Sequence, residues 1–352
     1  MENFFKSVNI TNFKSLKSVT LSDCKRINLL IGKPNVGKSN ILEALGLFGL
    51  NYSQFNINKK LSAFIRYDNT AELFFNGVTS DGDIDRPIIV VAKNEINNIE
   101  KDCILSDQGS RLEITTSLGE GCGDTFYVDS EANITTYRTD YEQWKMESHN
   151  SLFQVKPYKF TSGLILEKEH SPFLIPPFGV NILHVIQTNK QLKSDLSRIL
   201  SGYGLKLLID NASNSLRIMK PLSEDNIISF PYNSIADTLQ RLIFFKAAIA
   251  SNQDSILLFE EPEAHCFPPY IAHFTQGVIN AETNQFFIAT HSPYVLNDFM
   301  EDQETRAQLA IYMADFQDGQ TVVYRLTDEE LNEVYNYGID VFFNYERFTA
   351  HG

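Results

Sequence analysis

The chain has 352 residues, of which 43% are hydrophobic, so it is long enough to form one large domain or two ordinary domains around a substantial core. Its net charge of −14 would repel nucleic acid or an anionic membrane unless basic residues cluster locally. It has neither a basic leader nor a long uncharged apolar stretch, which predicts a cytoplasmic protein without a membrane span. Its four scattered cysteines are typical of reduced thiols.

The first elements along the chain are three predicted strands that lead to a glycine-rich loop. They are short, β-rich and bounded by polar residues, and they cover residues 4–10, 16–21 and 27–31. The third ends in a sequence of the form G-x-x-x-x-G-K-[ST], and a helix-like apolar run follows it. The loop residues are Gly32, Lys33, Pro34, Asn35, Val36, Gly37, Lys38 and Ser39, with Asn40 directly after them.

This loop predicts a binding site for a nucleoside triphosphate. A strand that ends in glycines turns its backbone N–H groups toward one point, and the N-terminus of the following helix also favours a phosphate there. Lys38 would reach the β- and γ-phosphates, and Ser39 would ligate Mg²⁺. The predicted ligands are therefore ATP and Mg²⁺.

The middle of the chain has weaker patterns. Short β-like runs between residues 61 and 137, separated by Gly, Asp and Asn, predict an antiparallel lobe with a helix around 71–75. Proline steps within 141–178 predict irregular chain. Apolar residues at helical spacing predict one amphipathic helix over 181–200, either packed on the domain or forming an arm that faces a partner or DNA.

The last third alternates helices and strands, which is typical of a parallel sheet. Helices are predicted over 234–250 and 268–279, and buried strands over 255–259 and 285–289.

Polar residues follow both of these buried strands, at the sheet edge where ligands of α/β proteins bind. Glu260 and Glu261 end the first strand, a position from which P-loop enzymes hold Mg²⁺ and orient the attacking water. Glu260 stands where Asp is usual, and its longer side chain would act on Mg²⁺ through a bound water; Glu261 would polarise the water. His291 follows the second strand and would sense the γ-phosphate.

Taken in order, these segments resemble the ABC-type ATPases, in particular the branch containing RecF, SMC and OLD proteins. The matching segments are Asn12-Phe13-Lys14-Ser15, the loop 32–40, Glu260-Glu261-Pro262-Glu263-Ala264-His265 and Thr290-His291-Ser292-Pro293. The resemblance implies a two-lobed α/β head that sandwiches ATP between two copies. A signature helix from one copy would complete the site of the other.

The resemblance places the signature segment at 233–241. Ala236 and Asp237 occupy positions where glycines are usual, while Ser234 is predicted to cap the helix and aim its N-terminus at a γ-phosphate. The implied architecture is one ATPase head over 1–352. It has an N-terminal lobe (1–140) with the phosphate loop and antiparallel strands, an inserted helical or irregular segment (141–230), and a C-terminal parallel-sheet lobe (231–352).

The first functional hypothesis is a slow ATPase that forms a homodimer or higher oligomer and regulates a separate effector protein, in bacterial anti-phage defence. Asp298, Glu301, Asp302 and Glu304 lack the spacing of a two-metal nuclease and predict a solvated acidic face. The alternative is a RecF-like or SMC-like ATPase in DNA repair, which needs a basic groove from the lysines and arginines near residues 6–26 and 190–198. A third hypothesis is a scaffold locked by nucleotide, for which Glu260 is the only indication.

Overall fold

The computed structural model describes residues 4–55, 59–82, 84–94, 99–118, 123–138, 154–210, 213, 215–223 and 226–349. These residues form two compact units. The first contains residues 1–157, 254–261 and 283–352, and the second contains residues 158–253 and 262–282. The lobe boundaries expected from the sequence stay a prediction.

A seven-stranded antiparallel sheet forms one layer of the first unit. Its spatial order is β10-β9-β8-β7-β6-β1-β2. Alternate residues of these strands are buried, as in Ile88–Asn94 and Gly123–Val128, which is the pattern of a sheet with one covered face. The strands are β1 (Ser7–Phe13), β2 (Leu16–Leu21), β6 (Ile88–Asn94), β7 (Ile99–Asp107), β8 (Leu112–Leu118), β9 (Gly123–Val128) and β10 (Ile134–Arg138). A short hairpin, β4 (Ser80–Asp81) and β5 (Ile84–Asp85), lies apart from this sheet.

The second sheet of this unit has six strands in the order β11-β15-β16-β3-β17-β18. Strands β15, β16, β3 and β17 run parallel, and β18 is antiparallel to β17. The central strand β3 is buried along its whole length, as expected when helices or sheets cover both faces. The strands are β3 (Ile27–Ile31), β11 (Val155–Tyr158), β15 (Ile256–Glu260), β16 (Gln285–Ala289), β17 (Leu309–Gln317) and β18 (Gln320–Arg325).

The strand register brings the predicted site residues to one edge of this sheet. Glu260 pairs with Ala289, and Ala289 pairs with Leu30, so three strands end at the same level. The helices of the unit are α1 (Lys38–Gly46), α6 (Pro293–Glu301), α7 (Gln303–Ala307), α8 (Asp328–Tyr337) and α9 (Tyr345–Thr349). Helix α1 starts at Lys38, within the phosphate loop, and α6 starts two residues after His291, so both helices begin at the carboxyl edge.

The second unit combines a three-stranded antiparallel sheet with helices. The sheet has the order β12-β13-β14, and Leu200, Ile218 and Leu239 form a buried apolar cluster. The elements are α2 (Ile182–Thr188), α3 (Lys190–Ser201), β12 (Lys206–Asp210), β13 (Ser215–Pro221), β14 (Ile227–Pro231), α4 (Asp237–Ala250) and α5 (Pro268–Asn280).

The structure confirms the α/β fold class and corrects three helix predictions. The helix expected over 181–200 is two helices, because Asn189 ends the first and its side chain accepts the Leu192 N–H at 2.9 Å to cap the second. The helix expected from 234 begins at Asp237, with Ala236 at its N-cap. The helix expected at 71–75 is two 3₁₀ turns, Thr70–Leu73 and Phe75–Gly77.

The irregular chain expected over 141–178 is confirmed only in part. Residues 159–178 are irregular, as their prolines predict, but Val155–Tyr158 form strand β11, and residues 141–153 lie outside the described residues. The first strand, expected over 4–10, covers Ser7–Phe13. Cys24, Cys103 and Cys266 are free thiols, and Cys122 lies outside the described residues. Within the described parts of the chain, none of the helices is long and apolar enough to cross a membrane.

Candidate active site

The phosphate loop requires glycine at both of its ends. A Cβ atom on Gly32 would lie 2.3 Å from the carbonyl oxygen of Ala314, and one on Gly37 would lie 2.2 Å from Oγ1 of Thr321. Gly37 also has a φ of 101°, a conformation that residues with a Cβ rarely adopt. The backbone is therefore packed closely from behind, which leaves its N–H groups to face the ligand side.

Lys38 is held at the centre of this loop. Its Nζ donates hydrogen bonds to the carbonyl oxygens of Gly32 and Lys33, both at 2.8 Å, and the residue is only 5% exposed. Because the first residue of α1 carries this ammonium group, helix and loop together present positive charge at one place. A triphosphate is the ligand that this arrangement fits.

A chain of hydroxyl and amide groups supports the loop from below. The hydroxyl of Thr321 donates to the carbonyl of Val36 at 2.9 Å, and Ser15 Oγ lies 2.7 Å from Thr321 Oγ1. Asn40 Nδ2 in turn donates to Ser15 Oγ at 2.8 Å. The turn between β1 and β2 and the start of β18 thus fix the loop. Sequence reasoning included Ser15 and missed Thr321, which lies 285 residues after Val36 and belongs to no motif.

Glu260, Glu261 and His291 lie where two strands end. The Glu261 N–H donates to the carbonyl of Ala289 at 2.9 Å, and its φ of 43° turns the chain sharply away from β15. Its carboxylate Oε1 is 3.4 Å from Nε2 of His291, and both side chains are partly exposed. The structure therefore brings together the predicted water-polarising carboxylate and the predicted phosphate sensor.

Electrostatics keep His291 neutral near pH 7. Partial burial lowers the pKa of His291, and the nearby positive charge of Lys38 lowers it further, while Glu261 opposes both effects by raising it. A neutral imidazole carries one N–H that can donate a hydrogen bond to a phosphate oxygen.

An ionic chain that the sequence did not indicate connects to Glu260. Lys14 Nζ lies 2.5 Å from Oε2 of Glu43, and Arg66 Nε lies 2.8 Å from Oε1 of the same carboxylate. The other end of the Arg66 guanidinium contacts Oε1 of Glu260 at 2.9 Å. Glu43 is buried within α1, so its charge needs these two partners. One feature of the sequence could have revealed this chain of charges, namely the carboxylate of Glu43 within the apolar run of α1.

The predicted Mg²⁺ ligands have the right chemistry for that ion. Ser39 supplies a hydroxyl at the start of α1 and Glu260 a carboxylate at the end of β15, and Mg²⁺ prefers oxygen ligands. Glu260 shares one carboxylate oxygen with Arg66, so a bound cation would compete with the guanidinium for this side chain. The metal roles of both residues stay predictions.

The predicted capping role of Ser234 is wrong. Ser234 ends a 3₁₀ turn, Tyr232–Ser234, and α4 has no side-chain cap at its N-terminus. Asp237, whose charge would repel a phosphate, accepts a hydrogen bond from Arg241 Nε at 2.8 Å. These residues belong to the second unit, and a role for Ser234 in binding nucleotide stays a prediction.

Comparison with known proteins identifies the family. The family model described as "AAA domain, putative AbiEii toxin, Type IV TA system" matches residues 27–297, a span that contains the phosphate loop, both carboxylates and His291. The chain belongs to this AAA-domain family. A Helicobacter pylori protein named "ATP/GTP phosphatase" is 21% identical in a match over 380 residues. The match covers 94% of this chain and 97% of that protein. The prediction of an ATPase is therefore confirmed.

Solved structures confirm the predicted ABC-type fold. An SMC head bound to the C-winged helix domain of ScpA has a TM-score of 0.55 at 16% identity and covers 93% of this chain and 99% of its own. A second solved structure is an SMC head with an extended coiled coil, bound to the C-terminal domain of ScpA derived from Pyrococcus furiosus. It has a TM-score of 0.51 at 13% identity and covers 95% of this chain and 99% of its own. This AAA-domain protein thus shares the fold of SMC heads.

Proposed function

We propose that this ATPase self-associates through its nucleotide sites and uses ATP to control a separate effector protein in bacterial defence. The observation that carries the proposal is the exposure of the Glu261–His291 pair: about half of the carboxylate side chain and a third of the imidazole face solvent. Hydrolysis is helped when bulk solvent is excluded from the site and only the attacking water stays in it. A second protein surface covering this edge would supply that exclusion.

Each residue at the edge then has a role. Lys38 would hold the phosphates, Ser39 and Glu260 would hold Mg²⁺, Glu261 would polarise the attacking water, and His291 would sense the γ-phosphate. Bound Mg²⁺ would neutralise charge on the phosphates. ATP would join two or more copies, and its hydrolysis would separate them.

The family description supports the defence role, since it names a putative toxin of a type IV toxin–antitoxin system. An SMC head solved with ScpA also gives a precedent for a head of this fold that binds a separate protein. The acidic composition of this chain favours a basic effector over DNA.

The DNA-binding alternative has less support, because several of its candidate basic residues already have partners within the protein. Lys14 contacts Glu43 at 2.5 Å, Lys25 contacts Asp328 at 3.1 Å, and Arg26 is buried and donates to Gln308. Arg198 on α3 contacts Asp195 at 2.9 Å. These contacts reduce the positive charge available to a phosphate backbone.

The test is the native mass of the complex purified together with the proteins encoded beside it, with and without ATP. The Glu261→Gln variant should bind ATP, hydrolyse it about 100-fold more slowly, and remain self-associated. A co-purifying protein whose attachment changes with nucleotide would support the proposal. A dimer that retains DNA and no protein would favour the repair function. Equal ATP turnover in the wild type and Glu261→Gln would remove the role given to Glu261.

A further inference from the structure

A cleft of about 430 Å³ opens between α6 and the C-terminal end of α8, in the first unit. Its apolar lining comes from both sides and includes Leu296, Met300, Val334 and Val341, each of them mostly buried. Three carboxylates, those of Asp298, Glu301 and Asp340, also line it. The cleft therefore has an apolar interior beside fixed negative charge.

Exposed aromatic residues lie in and next to the segments that line the cleft. Tyr335, which lines the cleft, is 46% exposed, and Tyr337 and Phe343 close by in sequence are 78% and 90% exposed. Exposed apolar surface of this extent typically marks a binding site, and Tyr and Phe are enriched at protein interfaces. Because Tyr337 and Phe343 adjoin lining residues without lining the cleft themselves, they suit a protein segment better than a small molecule that would fill the cleft alone.

The charge around the cleft selects a basic partner. Residues 293–349 contain twelve Asp and Glu, three Arg and no Lys, a balance of −9 out of −14 for the whole chain. All three arginines have partners: Arg306 lies 3.7 Å from the Tyr335 ring, Arg325 lies 3.8 Å from Asp328, and Arg347 lies 2.5 Å from Glu333. Lys25 and Lys33, which lie outside this range, pair with two of its carboxylates, those of Asp328 and Glu346. The lining of the cleft itself is acidic, because it contains three carboxylates and neither Lys nor Arg, and it would repel nucleic acid and anionic lipid.

We propose that this acidic-aromatic cleft docks a basic segment of the effector protein, with one apolar side chain in the cleft and Arg or Lys residues on its rim. Arg306 over Tyr335 already demonstrates the stacking that a partner arginine could make with the other exposed rings. Carboxylates at the rim would speed association and set specificity.

Helix α6 connects the cleft to the nucleotide edge. It begins at Pro293, directly after the N-cap Ser292 and two residues after His291, and it ends at Glu301 in the cleft wall. A shift of His291 on contact with a γ-phosphate would move this helix and reshape the cleft. This coupling, and the identity of the partner as the effector protein, rest on the proposed function, whereas the binding of a basic segment to the cleft does not.

The test uses a phage-displayed library of random 12-residue peptides, selected on the full chain. Enriched peptides should carry net positive charge around an apolar residue, and their affinity should fall as salt rises. The triple variant Glu301→Lys, Tyr337→Ser and Phe343→Ser changes exposed side chains only, and it should lose about tenfold in peptide affinity while keeping its ATP turnover. The control variant Ile84→Ser, Glu131→Lys and Tyr137→Ser also changes exposed residues, elsewhere in the chain, and should bind as the wild type does.

Two outcomes would overturn the docking proposal: enriched peptides without basic residues, or equal binding to the triple variant and the wild type. A separate measurement tests the coupling, namely peptide affinity with and without ATP in the Glu261→Gln background. Peptides that bind at the cleft with an affinity independent of ATP would leave the docking site in place and contradict the proposed nucleotide control.

Discussion

The nucleotide edge and the acidic-aromatic cleft lie in the same unit, yet their chemistry is encoded differently. At the edge, single residues are fixed by strand ends and close backbone packing, as with Gly37 against Thr321 and Glu261 against Ala289. At the cleft, the chemistry is spread over several carboxylates and exposed rings. The edge can therefore be recognised as a motif, whereas the cleft appears only in composition and exposure.

The largest effect should come from removing the Lys38 ammonium group at the nucleotide edge. Replacing Lys38 with Ala should weaken ATP binding by about 100-fold, because it removes a buried ammonium placed at the phosphate loop. Titration calorimetry with ATP measures this directly. Lys33→Ala is the matched control. The Lys33 side chain is 58% exposed, and its ion pair with Glu346 at 3.8 Å is of the surface type that contributes little. The affinity of this variant for ATP should stay near that of the wild type. Similar losses in both variants would mean that net loop charge, and not position, binds the phosphates.

A smaller effect should follow from loosening the loop without touching its ligand side. Thr321→Val keeps the shape but removes the hydroxyl that donates to Val36 and meets Ser15. Losing a buried hydrogen bond costs about 1–3 kcal/mol, so ATP affinity should fall by about tenfold. Thr321→Ser retains the hydroxyl and should restore most of the affinity. If the valine variant binds ATP normally, the support chain beneath the loop has no part in binding.

The smallest effect should be seen at a buried charge away from both regions. Lys156 lies on β11, donates to Ser255 at 3.1 Å, and burial lowers its pKa to about 7 from an ordinary value of 10.5. Between these two pKa values the unfolded chain binds more protons than the folded one. The free energy of unfolding therefore rises with pH over this range. Lys156→Met should raise the melting temperature by a few degrees at pH 7, and the gain should shrink toward pH 10.

Thermal melts at several pH values test this prediction. The exposed Lys17 on β2 provides the control substitution Lys17→Met, which should have little effect at any pH. A gain for Lys156→Met that stays constant with pH would show that better packing, and not relief of a buried charge, stabilises the variant. It would also show that burial alone does not make a position in this sheet sensitive to charge.

Much of the nucleotide edge could be predicted from sequence, because local chemistry determines it. The phosphate loop, the pair Glu260–Glu261 and His291 each follow a buried apolar strand, and parallel strands necessarily bring such residues to one edge. Arg66 and Thr321 were missed because their roles depend on contacts with residues far away in the chain. No short pattern around either residue encodes such contacts.

The errors in helix boundaries have a physical origin as well. Asn189 lies inside an apolar spacing that continues on both sides, so periodicity alone joins two helices that its side chain separates. Ser234 is a common N-cap type, but the 3₁₀ turn Tyr232–Ser234 delays the start of α4 by three residues. In both cases a side chain or turn competed with helix propensity, which a hydrophobic pattern does not register.

The hydrogen bond from Thr321 to Val36 has a consequence for synthesis of the protein. The central strand β3 pairs with β16 and β17, which leave the ribosome more than 250 residues later. Contacts of such sequence separation form slowly. A nascent chain that already contains the complete loop sequence therefore still lacks the groups that hold the loop in shape. We therefore expect a nascent chain to bind ATP weakly until Thr321 has been translated and has reached the loop.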